Sequence, residues 1–423
     1  MPRDGRFRIA GSAGVLIAVV LMLGLVVAPA SAAPLQPQLA ADVDPGPSGS
    51  APSELTPFDG QLYFVADDGV HGEELWRTGT GGTSLVADID PGEEGSSPRS
   101  LTVAGPYLYF QADDGVHGGE LWRTDGTTAG TEMVKDIDPG PASSGPYELT
   151  AAGETLFFEA GDGTHGYELW RSDGTAAGTT MVKDIWPGPE SGSAEQLLYF
   201  GGTLYFRADD GGHGNELWRS DGTAAGTTMV KDIWPGAESS YPEALTALDG
   251  KFYFQADDGT HGYELWRSDG TEAGTSLVKD IDPGAGSGEA FYLGAPDGTL
   301  WFLAEDGTHG YEPWRSDGTE AGTHLVKDIY PGTGNSIARE IADLDGELYF
   351  QANDGTHGYE LWRSDGSEPG TSMVEDIWPG FDSSGPEHLT TFDGSVWFSA
   401  ETMAAGRELW STDGTAVGLF ADL

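Results

Sequence analysis

Across residues 240–282 apolar and polar positions alternate in short bursts, and no helical period runs through them. Leu245-Thr246-Ala247-Leu248 is followed by Asp249-Gly250 and then Lys251-Phe252-Tyr253-Phe254-Gln255-Ala256. An Asp-Gly pair between two β-rich runs is the strongest short hairpin signal, so these runs predict strands a and b. Asp257-Asp258-Gly259-Thr260-His261-Gly262 is a turn cluster, and Tyr263 to Ser268 predicts strand c. Asp269 to Gly274 turns again into Thr275 to Ile281, the predicted strand d. In Leu108-Tyr109-Phe110 consecutive residues are all apolar, so strand b must be covered on both faces.

The same pattern recurs from end to end. Equivalent tryptophans stand at Trp76, Trp122, Trp170, Trp218, Trp266, Trp314, Trp362 and Trp410, with one spacing of 46 followed by six of 48. A fixed period of this order marks an array whose units cannot bury their apolar surface alone. The first unit is shorter by two residues between Trp76 and Leu85, which places the deletion in the c–d turn, where deletions are tolerated.

The phrase Glu264-Leu265-Trp266-Arg267-Ser268-Asp269-Gly270-Thr271, in tandem, resembles the bacterial ELWxxDGT repeat proteins. The resemblance covers the expected mature chain and implies a secreted repeat protein without implying a particular activity. Ala112, Asp114, Gly118, Glu120 and Trp122 also have a spacing similar to the tryptophan-docking motif of eight-bladed quinoprotein dehydrogenases. This implies an indole stacked on the next blade's backbone. It does not extend to a quinone cofactor, because no unique residues for one stand out.

The longest irregular link joins d to the next a, as in Pro235 to Pro242, which is where a propeller chain crosses between blades. The expectation is an all-β, eight-bladed β-propeller of four-stranded antiparallel blades over residues 51–423; the alternative is an open β-solenoid. Leu39 to Asp44, within the segment 34–50, copies a strand d and is expected to close the ring, competing with or lying beside the C-terminal copy. Residues 1–33 read as a secretory signal: Arg3, Arg6 and Arg8 precede the short apolar run Val15 to Val27 and the small residues Ala30-Ser31-Ala32. An uncleaved anchor is the rival, although the run is shorter than the ~20 residues that a bilayer span needs. The mature chain is expected outside the cytoplasm, secreted or at the cell surface, without a membrane span and as a monomer.

Charge and cysteine content narrow the partners. With 20 basic and 69 acidic side chains the formal charge is -49, which repels a phosphate backbone and argues against nucleic acid. There is no cysteine, so neither a disulfide nor a thiolate-bound metal can hold the fold. Almost every polar residue is repeated, which argues against an enzyme, since catalysis needs one asymmetric constellation. Those that break the repeat, including Glu195, Lys251, His324, Arg339, Glu340 and His388, look scattered across units.

Two repeated positions remain as candidate sites. The b–c turns present Asp68, Asp114, Asp162, Asp210, Asp258, Asp306 and Asp354, each three residues before a histidine. Carboxylates on such turns suit weak calcium binding, and the bland alternative is an Asp that caps its own turn. Unit eight keeps Gly406, Glu408 and Trp410 but loses this Asp and His, so Gly, Glu and Trp are the structural minimum. Before each Pro-Gly stand Asp44, Asp90, Asp138, Trp186, Trp234, Asp282, Tyr330 and Trp378. A position that accepts both Asp and Trp is not a sealed core, so the aromatics are expected to be exposed. Trp186, Trp234, Tyr330 and Trp378, with Tyr167, Tyr263, Tyr311 and Tyr359 on the same face, suit an extracellular glycan or a basic protein partner. The alternative folds the rings over the loop beneath them. A propeller-borne enzyme acting on glycans, or a wall-associated structural protein, are the rival functions.

Overall fold

The computed structural model describes Val43, residues 50–296 and residues 298–421. The secretory segment expected over 1–33 and, apart from Val43, the closing strand expected at Leu39 to Asp44 lie outside these residues. The described chain is an eight-bladed β-propeller: eight four-stranded antiparallel sheets, each made of four consecutive strands paired in the order a-b-c-d. Strands a of successive blades lie side by side around the axis, as in blades one to six. The solenoid alternative is thereby set aside.

In blade five, strand a is Glu243–Leu248, b is Lys251–Asp257, c is Tyr263–Ser268 and d is Ser276–Lys279. Two ends differ from the sequence expectation, each for a physical reason. Strand a begins two residues before Leu245 because it opens with a bulge: Glu243 pairs with Gln255, but the next pair is Thr246 with Tyr253. An unpaired residue interrupts the period of two that marks a strand. Strand d stops before Ile281 because the Ile281 N–H turns to the Glu264 carboxylate, 2.8 Å away, instead of the ladder. The short first unit behaves as expected, with strand c (Glu73–Gly79) and strand d (Gly82–Ala87) joined by Thr80 and Gly81 alone.

Both faces of strand b are covered. Phe252, Phe254 and Ala256 pack with Trp266 against Tyr205, Leu217, Val230 and Ile233 of blade four. Tyr253, between them, joins Leu265, Val278 and Ile281 in the cluster shared with blade six. Such clusters fill the seven seams from blades one and two through to blades seven and eight. At the remaining edges, Leu62 of blade one is half-buried, whereas its counterparts Leu108, Leu156 and Leu204 are fully buried.

The tryptophan ladder is the wedge in these seams. Trp266 is 5 % exposed, and the Lys231 ammonium of blade four lies 5.7 Å from its ring while donating to the Thr275 carbonyl. Trp410, on the last blade, is only half-buried. Arg267 ties the other face, its Nη1 donating to the Gly318 carbonyl of blade six at 2.8 Å. Trp266→Ala is expected to cost about 3–5 kcal/mol, the range for removing a buried aromatic, and Trp410→Ala clearly less. Denaturant melts of the two variants check this, and equal losses would mean that burial in the seam is not what the ladder provides.

Candidate ligand-binding site

Each crossing between blades is organised by one buried glutamate. Glu264 is fully buried, and its carboxylate accepts the N–H groups of Ile281, Asp282 and Gly288 at 2.8, 3.1 and 3.0 Å. Gly288 in turn accepts the Glu305 N–H of blade six through its carbonyl. In blade four Glu216 does the same and also accepts the Ser240 hydroxyl at 2.7 Å. Burial pushes the Glu264 carboxyl up to about 7, against the N–H donors that hold it down. Gly262 passes under this link at φ 71°, where a Cβ would meet the Gly286 carbonyl oxygen at 2.0 Å. These contacts give the physical reason for the Gly and Glu of the minimal motif.

The seven turn aspartates all adopt one arrangement. Asp258 accepts the N–H groups of Thr260 and His261 through Oδ1, and its Oδ2 meets His261 Nδ1 at 2.9 Å. The same ion pair recurs at Asp68, Asp114, Asp162, Asp210, Asp306 and Asp354 with His71, His117, His165, His213, His309 and His357. The carboxylates are held below their usual range because the His ring and two N–H groups outweigh burial. The histidines are raised by the same carboxylates. No cluster of three or more His, Asp or Glu side chains arranged for a metal occurs among the described residues.

The predicted aromatics separate into two sets. Trp186, Trp234, Tyr330 and Trp378 are half-buried rather than exposed. Trp234 lies over Gly259 of the next b–c turn, where a Cβ would come within 2.5 Å of the indole, and Trp186 and Tyr330 cover Gly211 and Gly355 in the same way. Asp282 covers Gly307 identically, so a site open at its edge accommodates either residue type. Tyr167, Tyr263 and Tyr359 begin strands c, Tyr311 directly precedes one, and all four are grouped with the starts of strands a. Tyr167 is 44 % exposed; the other three are half-buried.

That second set marks a site that the repeat pattern concealed. The first residue of strand a pairs across the sheet with a residue near the end of strand b, as Glu195 with Arg207, Glu243 with Gln255 and Arg339 with Gln351. These positions change from blade to blade. Glu195 and Arg339 therefore occupy equivalent places, and Glu340 and His388 follow one residue later on their own strands, whereas Lys251 and His324 lie elsewhere. The bulge residues Glu148, Gln196 and Glu340 sit at φ 56–60°. Each accepts a backbone N–H from the next blade's inner strand through its side chain. Only the register, not the spacing of any single unit, brings these residues together.

Two parts of this rim have distinct chemistry. Arg207, mostly buried, pairs with both Glu195 and Glu243 and lies 5.7 Å from the Tyr241 ring. Glu159 is 6 % exposed and pushed up to about 8, by burial first and then by the charges of Glu195, Glu148 and Glu168. Beside them Tyr241, Glu243, Gln255, Tyr263, Glu289 and Phe291 line a cleft of about 290 Å³. The Tyr311 hydroxyl donates to Glu289 at its edge.

No family model and no curated protein matches the chain. Among solved structures it is similar to puromycin hydrolase at 14 % identity and TM-score 0.41, over 92 % of this chain and 56 % of that one. It is also similar to a prolyl endopeptidase at 12 % identity and TM-score 0.44, over 88 % and 49 %. A third likeness is to the β-propeller domain of the Trilobed protease from Pyrococcus furiosus, at 11 % identity and TM-score 0.38, over 77 % and 98 %. The chain thus spans about half the length of the first two.

The turn histidines and the glutamate clasps share one sign of pH dependence. A folded pKa raised above the unfolded value contributes stability that is complete below the unfolded value and is lost as pH rises through the folded one. For the histidines the loss begins near 6.5, and for Glu264 it runs from 4.5 to about 7. The melting temperature is therefore expected to fall between pH 6 and pH 8, with the seven turn histidines titrating above 6.5 by NMR. A melting temperature that rises over this interval would contradict the assignment.

Proposed function

We propose that this chain is a binding module of the ELWxxDGT repeat kind, acting at the cell exterior as a monomer and engaging an extracellular glycan or protein. The observation that carries the reading is the cleft where strands a and c begin, which combines three aromatic rings with two carboxylates and a buried amide. Aromatic faces give apolar contact, and the few polar groups fix orientation, as small-ligand sites require. The formal charge of -49 adds a long-range preference for basic partners. Among the described residues no helix is long and apolar enough to cross a membrane.

The test is binding of the purified mature chain to a glycan array, to isolated cell walls and to basic proteins, with and without calcium. Tyr263→Ala is expected to weaken the bound class at least about tenfold, the loss of one good aromatic contact. Binding that survives this change intact would move the contact surface elsewhere. Calcium, as a further part of the proposal, has to displace histidine from Oδ2 at Asp68, Asp114, Asp162, Asp210, Asp258, Asp306 or Asp354. Titration at pH 8 is expected to give heat and a chelator-sensitive melting temperature; without either, those aspartates serve the turn alone.

Glu159 favours a second reading, an extracellular enzyme acting on glycans. A carboxyl pushed up to about 8 stays protonated at neutral pH, as a general acid must, and Glu195 and Glu148 lie close enough to repel its charge. Hydrolysis of a glycan by the purified chain, lost by a factor of about 100 or more in Glu159→Gln, is the result this reading requires. A chain with no such activity, or a variant that keeps it, removes the reading.

A further inference from the structure

A crossing between blades has three fixed points. A glutamate of strand c accepts the N–H of the isoleucine that follows strand d, as Glu74 does from Ile89, Glu120 from Ile137 and Glu360 from Ile377. It also accepts the N–H and the hydroxyl of a serine seven residues further on, Ser96, Ser144 and Ser384 in these blades. That serine's carbonyl then accepts an N–H from the end of the next blade's strand b: Asp113 at 3.0 Å, Gly161 at 2.9 Å and Glu401 at 2.8 Å.

Blade one follows no other blade along the chain, yet it is held at the same far point. The Asp67 N–H donates to the Ser50 carbonyl at 3.1 Å, as Asp113 donates to Ser96. Val43 stands seven residues before Ser50, as Ile89 stands seven before Ser96, and it is half-buried. Across the seam, Glu408 has the place in blade eight that Glu264 has in blade five, since it pairs with Ala400 as Glu264 pairs with Ala256. Glu408 is 9 % exposed. Strand d of blade eight, Val417–Ala421, keeps the common register, with Ala421 opposite Leu409 as Lys279 is opposite Leu265. In blade five the chain reaches the carboxylate two residues beyond Lys279, at Ile281. Blade eight therefore holds a strand and a buried carboxylate ready for a crossing, and Val43 to Ser50 has the spacing and the far contact of one.

We propose that Glu408 is the eighth clasp and that it holds the N-terminal part of its own chain, through the N–H groups of Val43 and Ser50 and the Ser50 hydroxyl. Chemistry selects this occupant. A carboxylate shielded from water requires hydrogen-bond donors, and these two residues bring them at the separation that every other clasp uses. Leu419, opposite Trp410, already fills the ladder position that the copy at Leu39 to Asp44 would need in order to enter as a strand. The C-terminal part thus supplies the strand and the N-terminal part supplies the crossing. The ring closes over a break in the chain, and the seam between blades eight and one, where Leu62 and Trp410 are half-buried, is the one that opens most readily.

The experiment is hydrogen exchange of the purified mature chain, read at the amides of Val43 and Ser50, in the parent and in Glu408→Ala and Glu408→Gln. The Ile281 amide, held by Glu264, is the internal reference. In the parent, both amides are expected to exchange slower than in the unfolded chain by about tenfold or more. Glu408→Ala should remove that protection while the Ile281 amide changes by less than about twofold, and Glu408→Gln, which keeps one acceptor, should remove less of it. Thermal melts establish that the variants are folded; if Glu408→Ala does not fold, the comparison is read from Glu408→Gln. Unprotected amides at Val43 and Ser50 in the parent, or protection that persists in the folded variants, would overturn the proposal. Protection lost equally at Ile281 would overturn it too, since the carboxylate would then support the whole ring and no particular segment.

Discussion

A carboxylate sealed from water sits at the root of each described crossing between blades. Glu264 and its counterparts take N–H groups from the end of one strand d and from the link that leads into the next strand a. Those N–H groups have left the ladder and are buried, so without the carboxylate they would be unsatisfied. Geometry follows from this requirement. The link must pass within hydrogen-bond reach of strand c, which demands glycine at Gly262 and sets the next blade's strand a beside the last. The tryptophan then fills the seam that the clasp has defined.

Once the clasp and the wedge are fixed, few positions are free to vary without loss of stability. The residues that open strand a, pair with it on strand b and open strand c are among them, because they sit beyond the packed seam. Variation there turns a repetitive scaffold into a rim with a different chemistry at each blade. Blade four sets Arg207 between Glu195 and Glu243, blade seven sets Arg339 over Gln351, and blade five pairs Glu243 with Gln255 beside an aromatic-lined cleft. An asymmetric site thus arises on a near-symmetric ring without any new element.

The chain's own sequence determined the number of units, the four strands in each, the two-sided cover of strand b and the place of the short first turn. These properties depend on local alternation and turn chemistry, which act over a few residues, and on the recurrence of the tryptophan, and all of them survive in a linear reading. The Asp–His turns were legible for the same reason. Tertiary structure alone decided that Trp186, Trp234 and Tyr330 lie over glycines of the next blade, since an intermediate environment admits both Asp and Trp and composition cannot distinguish it from exposure. It also decided that Glu195 and Arg339 share one rim position. That depends on a bulge at the start of strand a and on cross-strand register, which join residues about twelve apart in one blade and relate blades by rotation. The buried amide of Gln255 belongs to the same class: its partner, Glu243, is set by what stands opposite it across the sheet.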